Sequence, residues 1–117
     1  MPNNLQIIKS ITESLDITAY LDCREILSEI YKQAKEKIAT YSYLEFSNDL
    51  GLSRSNVIRL IISGKRSLTV KSGEKIALAL DLKGNQRKYW AALVAFQQAK
   101  TSAKRDECFA SLLTYRQ

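Results

Sequence analysis

Apolar residues recur at three- and four-residue steps along nearly the whole chain, and the only proline, Pro2, precedes the first such run. That spacing gathers apolar side chains on one stripe of a helix. With no proline inside the pattern, nothing in the chain breaks a helix from within. Leu5, Ile8, Ile11 and Leu15 mark a first helix over residues 4–15, with Ile7 broadening its stripe. Asp22 opens a longer helix carrying Cys23, Ile26, Leu27, Ile30, Tyr31, Ala34 and Ile38. Asp22 with Glu25, and Ser42 with Glu45, have the spacing of capping boxes. Gly51 ends the helix that Ser42 begins, and Ser53 caps the next, which runs to about Ile62 and closes at Ser63-Gly64. Thr69 caps a helix to Leu82, weakened in its first turn by Gly73. Lys83-Gly84-Asn85 breaks it, and Asn85 caps a helix through Tyr89, Trp90, Leu93, Val94 and Phe96. Thr101-Ser102 begin a last helix through Cys108, Phe109, Leu112 and Leu113. No stretch alternates with period two for long enough to make a strand. The expectation is an all-α fold: a compact bundle of about six to seven short helices forming one domain over residues 1–117.

Composition narrows the chemistry. The 117 residues contain no histidine, which removes Ser-His-Asp and Cys-His catalysis, His-bearing zinc sites and histidine pH switching. The two cysteines, Cys23 and Cys108, lie far apart and read as buried thiols of a reducing cytosol. There is no glycine-rich phosphate loop, and no carboxylate pair in an apolar setting, so no catalytic residue, cofactor or metal is expected. The longest purely apolar run, Tyr89 to Phe96, is eight residues, against the ~20 that a membrane span needs. No signal-peptide pattern opens the chain, so a cytoplasmic protein is expected.

The net charge of +6 is unevenly placed. Residues 1–52 carry 5 basic and 8 acidic side chains, whereas residues 53–117 carry 13 basic and 4 acidic. A one-sided positive surface is a footprint for nucleic acid, although a solvated, lysine-rich helical surface has the same composition.

The stretch 43–62 decides between these. A helix-turn-helix needs a small residue where its helices cross, and Ser47 is there. It needs a residue tolerant of left-handed dihedrals in the turn, and Gly51 is there. Apolar residues must pin the two helices together, and Phe46, Leu50, Leu52, Val57 and Leu60 occupy those places. In this motif the second helix enters the major groove with its first residues toward the base edges. Here these are Arg54, Ser55 and Asn56, with Arg59 one turn later. Arginine pairs bidentately with guanine, asparagine with adenine, and serine with either kind of base. Ser53 caps this helix, whose free amides also suit a phosphate. Ser42 and Tyr43 begin the first helix at the position of a backbone contact, and Lys65 and Arg66 suit phosphate neutralisation. Each has an alternative: Ser42 and Ser53 are caps in any case, Tyr43 can be packed, and Lys65 and Arg66 can be solvated loop charges. Ile58 and Ile62 fall on the flank of the second helix, while Val57, Leu60 and Ile61 turn inward. The two flanking isoleucines suit thymine methyls, the 65–68 loop or another protein.

Residues 41–82 resemble a lambda-repressor/Cro-type helix-turn-helix domain, including Gly64-Lys65-Arg66 and the Ile76-Ala77-Leu78-Ala79-Leu80 helix. Residues 16–110 further resemble the N-terminal part of an expanded bacterial regulator family. The blocks that carry this likeness are Tyr20-Leu21-Asp22-Cys23-Arg24 with Leu27 and Tyr31, Tyr41-Ser42-Tyr43, and Gly64 to Thr69. A fourth block runs from Trp90 to Thr101. The resemblance implies a cytoplasmic, nucleoid-associated transcriptional regulator. Family members usually continue into a C-terminal domain of unknown function, which these 117 residues do not include. The chain also has Tyr43 where lambda-type domains often place glutamine, and its Leu5–Leu15 segment lies outside the family core.

The leading expectation is therefore a regulator that binds double-stranded DNA. A two-fold homodimer is expected, through the first helix (Leu5, Ile8, Ile11, Leu15) or the last (Phe109, Leu112, Leu113). The alternatives are a protein-interaction module that reads a partner through Ile58 and Ile62, and an architectural DNA binder of weak sequence preference.

Overall fold

The computed structural model describes residues 3–52 and 57–116. Among them are seven α-helices: α1 (Asn4–Ser14), α2 (Cys23–Lys37), α3 (Tyr43–Asp49), α4 (Val57–Ile62), α5 (Val70–Ala79), α6 (Gly84–Gln98) and α7 (Ser102–Tyr115). A 3-10 turn at Ile17–Ala19 joins α1 to α2, and the described residues contain no strand. The all-α expectation holds.

Short polar side chains start most of these helices, as local chemistry requires. Asn3 and Gln6 make a reciprocal capping box on α1, which the reading of the sequence missed. Asp22, Ser42, Thr69 and Thr101 cap α2, α3, α5 and α7 as expected, but the reciprocal half of the capping boxes expected at Asp22–Glu25 and Ser42–Glu45 is not made. The Asp22 cap accepts from the amide of Arg24. Asn85 does not cap α6. It lies within the helix and donates to the carbonyl of Tyr115, while Lys83 occupies the cap without a side-chain bond. The break before α6 also comes earlier than Lys83: Asp81 takes the left-handed conformation at φ 59°, and buried Leu82 donates back to the Ala77 carbonyl at 3.0 Å.

One core runs through the helices. Ile26, Leu27, Ile30 and Ala34 of α2 have no exposed surface, and α1, α4 and α6 pack against that helix. Trp90 of α6 is buried and donates its indole N–H to the Gly73 carbonyl of α5 at 2.9 Å. The most extensive helix–helix seam joins α6 to α7, where Phe96 meets Phe109 with ring centroids 5.8 Å apart.

The α1 stripe is corrected by this packing. Ile8 and Ile11 are buried in the core and Leu15 packs against it, so these side chains are occupied within the chain, while Leu5 is half-buried. On α7 the division runs the other way. Leu112 is buried, but Phe109 and Leu113 remain 39% and 52% exposed.

The face of α4 is corrected too. Ile58 has 0% exposure and sits in the core with Val57 and Ile61, whereas Leu60, expected inward, is only half-buried. Both α2 and α3 pack on this short helix, so a wider arc of it is covered than a single partner would cover. Ile58 is therefore unavailable as a flank for another protein. Ile58→Ala should destabilise the protein by ~2–5 kcal/mol, as truncation of a buried isoleucine does. Ile62→Ala, at a half-buried position, should cost clearly less. Urea denaturation of the two variants measures the difference.

Candidate nucleic-acid interface

The candidate interface is built on α3, the turn after it, α4 and the loop 63–69. The turn follows from local dihedrals. Gly51 has φ +76°, where a side chain would be strained, and the Leu52 amide donates to the Ser47 carbonyl at 2.9 Å to close it. Ser47 has 0% exposure, and its Oγ accepts from the Ile58 amide at 3.4 Å. The small residue thus does more than make room. It also ties α3 to α4 through that amide. Phe46, Leu50, Leu52, Val57 and Ile58 are buried around it.

Ser42 and Tyr43 are half-buried at the head of α3. The Glu45 amide donates to Ser42 Oγ at 3.2 Å, and the Glu45 carboxylate accepts from Ser42 Oγ at 3.4 Å and from Asn4 Nδ2 at 3.1 Å. Tyr43 is stacked on Tyr31 of α2, with ring centroids 4.0 Å apart and planes 10° from parallel. The packed alternative for Tyr43 is thus realised on one ring face. Beneath the pair, Tyr41 is fully buried and donates its hydroxyl to Asp49 Oδ2 at 2.7 Å. Burial, then the Asp49 carboxylate, push the Tyr41 phenol well above its ordinary pKa, so it stays a neutral donor. Lys35 Nζ donates to the Tyr41 carbonyl at 2.9 Å.

Arg59 is exposed on α4, and Lys65 and Arg66 are exposed in the turn beyond it. The amides of Lys65 and Arg66 both donate to the Leu60 carbonyl, at 2.9 and 3.2 Å, which leaves their side chains on a defined backbone. Ser53, Arg54, Ser55 and Asn56 lie outside the described residues.

Spacing did not reveal the neighbourhood of this turn. Arg24 of α2 reaches it, and Asp22 holds the guanidinium with an Nη2–Oδ2 contact of 2.8 Å. Gln97 of α6 donates to Asp22 Oδ1 at 2.9 Å and accepts from the Cys23 amide at 2.5 Å, and Gln98 donates to the Leu68 carbonyl. The three blocks 22–24, 64–68 and 97–98 thereby meet. No periodicity joins residues so far apart, and only their separate appearance in the resemblance hinted at it. Desolvation pushes the Asp22 carboxyl upward, but the hydrogen bonds and charge of Arg24, with Gln97, outweigh it and hold the pKa below the ordinary value. Burial, and next the Asp22 charge, push the Cys23 thiol up, so it is a packed thiol and not a thiolate.

Among the described residues, no group of three or more His, Cys, Asp or Glu side chains can hold a metal ion. No helix among them is long and apolar enough to cross a membrane. No protein-family model, curated protein or solved structure matches this chain.

Asp22→Ala should lower stability by ~1 kcal/mol at neutral pH through loss of the α2 cap. A carboxyl with a depressed folded pKa contributes stability above its unfolded value, near ~3.9 for aspartate, and loses it as pH falls through the folded value. The gap between Asp22→Ala and the parent should therefore narrow below about pH 4. Denaturant melts across acid pH check both parts.

Proposed function

We propose that the protein binds double-stranded DNA as a bacterial transcriptional regulator, in the cytoplasm at the nucleoid. The observation that supports this is the α3–α4 pair. A left-handed glycine turn, a buried serine at the crossing and a shared apolar core leave Arg59, Lys65 and Arg66 exposed on α4 and its following turn. Arg54, Ser55, Asn56 and Arg59 would read base edges in the major groove, and Ser53 would start their helix. Ser42, Tyr43, Lys65 and Arg66 would meet the phosphate backbone, which supplies most of the affinity and its salt dependence. No catalytic step, cofactor or metal belongs to this proposal.

The interaction-module alternative rested on Ile58 and Ile62, and the burial of Ile58 removes one of these two carriers. Weakly sequence-specific architectural binding remains as an outcome of the DNA test. A homodimer is part of the proposal, because one small helix-turn-helix covers only half of a two-fold site. Its surface moves from α1, whose Ile8 and Ile11 are internal, to Phe109 and Leu113 of α7.

Selection of bound sequences from a randomised duplex pool, followed by titration at low salt, tests the reading. Arg59→Ala should lower affinity for the selected site by ~1–3 kcal/mol and relax base preference. Lys65→Ala should weaken all duplexes alike and reduce the salt slope by about one. Absence of duplex binding by the parent protein sinks the proposal, and binding without an enriched sequence makes it an architectural binder. Light scattering tests the dimer: Phe109→Asp with Leu113→Asp should yield a monomer from a dimeric parent.

A further inference from the structure

The geometry points to Arg24 as a further DNA-backbone contact, a guanidinium held by Asp22 against the turn that carries Lys65 and Arg66. This rests on the DNA-binding reading and extends it to a residue of another helix.

The guanidinium is gripped along one edge only. Its Nε lies 3.2 Å from both Asp22 carboxylate oxygens, and its Nη2 lies 2.8 Å from Oδ2. Asp22 is itself fixed, because its Oδ1 accepts from the Arg24 amide and from Gln97 Nε2, each at 2.9 Å. The third nitrogen, Nη1, makes no hydrogen bond among the described residues and is turned toward Gly64. A methyl group on the Gly64 Cα would lie 2.5 Å from it. Gly64 has φ +83°, so glycine serves the turn twice, by its backbone conformation and by admitting the arginine. Beside them opens a cleft of about 220 Å³, lined in part by Arg24, Gly64, Arg66, Ser67 and Gln97. Arg24 and Arg66 both line it, and the Asp22 carboxylate is engaged on the far edge of Arg24.

Oriented in this way, an arginine retains donors for a phosphate oxygen without first searching its rotamers. Its direction on α2 is also suitable. Arg24 and Tyr31 are seven residues apart, two turns and about 10 Å along one face, and Tyr31 is the residue stacked on Tyr43. The same side of α2 therefore runs from the turn 64–66 to the head of α3, where the other backbone contacts are proposed. With its side chain 46% exposed, Arg24 is open to a partner.

Salt titrations of the full chain on a duplex that it binds, from ~50 to ~200 mM salt, test this. Arg24→Gln should weaken all duplexes alike and reduce the slope of log affinity against log salt by about 0.9, the value of one phosphate contact. Arg24→Lys, which keeps the charge, should keep the slope. A parent slope in Arg24→Gln overturns the inference while leaving the DNA reading intact. An equal fall in both variants also overturns it, because a residue that merely braces the turn loses its brace in either. If the parent binds no duplex, the DNA reading fails and takes this inference with it. Circular-dichroism melts accompany each titration, and if Arg24→Gln unfolds early, Arg24→Met, which also removes the charge, takes its place in the slope comparison.

Discussion

Ile26, Leu27, Ile30 and Ala34 have no exposed surface, and α1, α4 and α6 converge on them. Each buried isoleucine or leucine there is worth ~1.5–3 kcal/mol relative to exposure. The candidate interface depends on this burial. The described turns of α4 are anchored by tertiary packing. Val57, Ile58 and Ile61 are packed in the core, and Ser47 receives one of the helix's amides. α2 fixes the rear of α4, stacks Tyr31 on Tyr43, and brings Arg24 to the turn beyond.

The charge asymmetry acquires a physical meaning in this arrangement. Several acidic side chains of the N-terminal half are engaged in the structure: Asp22 by Arg24 and Gln97, Glu45 by Ser42 and Asn4, and Asp49 by Tyr41. Asp22 caps α2, Glu45 ties α3 to α1, and Asp49 anchors Tyr41. Arg59, Lys65 and Arg66 of the basic half are exposed on the candidate interface. Around the candidate interface, these acidic side chains hold the support together while these three basic side chains face solvent.

Helix starts were legible where a short polar residue could serve its own neighbourhood, as at Ser42, Thr69 and Thr101. The turn at Gly51 was legible for a similar reason, since its left-handed dihedral is a property of one residue. Misreadings came where a second helix intervened. Asn85 has a capping side chain, but it is directed to the end of α7. Ile58 was assigned by its angle to one partner helix, whereas α2 and α3 both cover α4. The stripe of α1 looked unpartnered because its partner, α2, begins beyond an intervening turn.

By itself, the sequence determined the all-helical class, most helix limits, the spacing of the α3–α4 motif and the position of the excess positive charge. These are consequences of local dihedral preferences, capping and apolar periodicity, all of which act within a few residues. Tertiary structure alone decided which apolar face of each helix is internal, and left Phe109 and Leu113 rather than the α1 stripe outside. It alone also brought Asp22, Arg24, Gly64 and Gln97 together. Those contacts join residues up to 75 positions apart, and their partners are set by how helices pack rather than by any repeat along the chain.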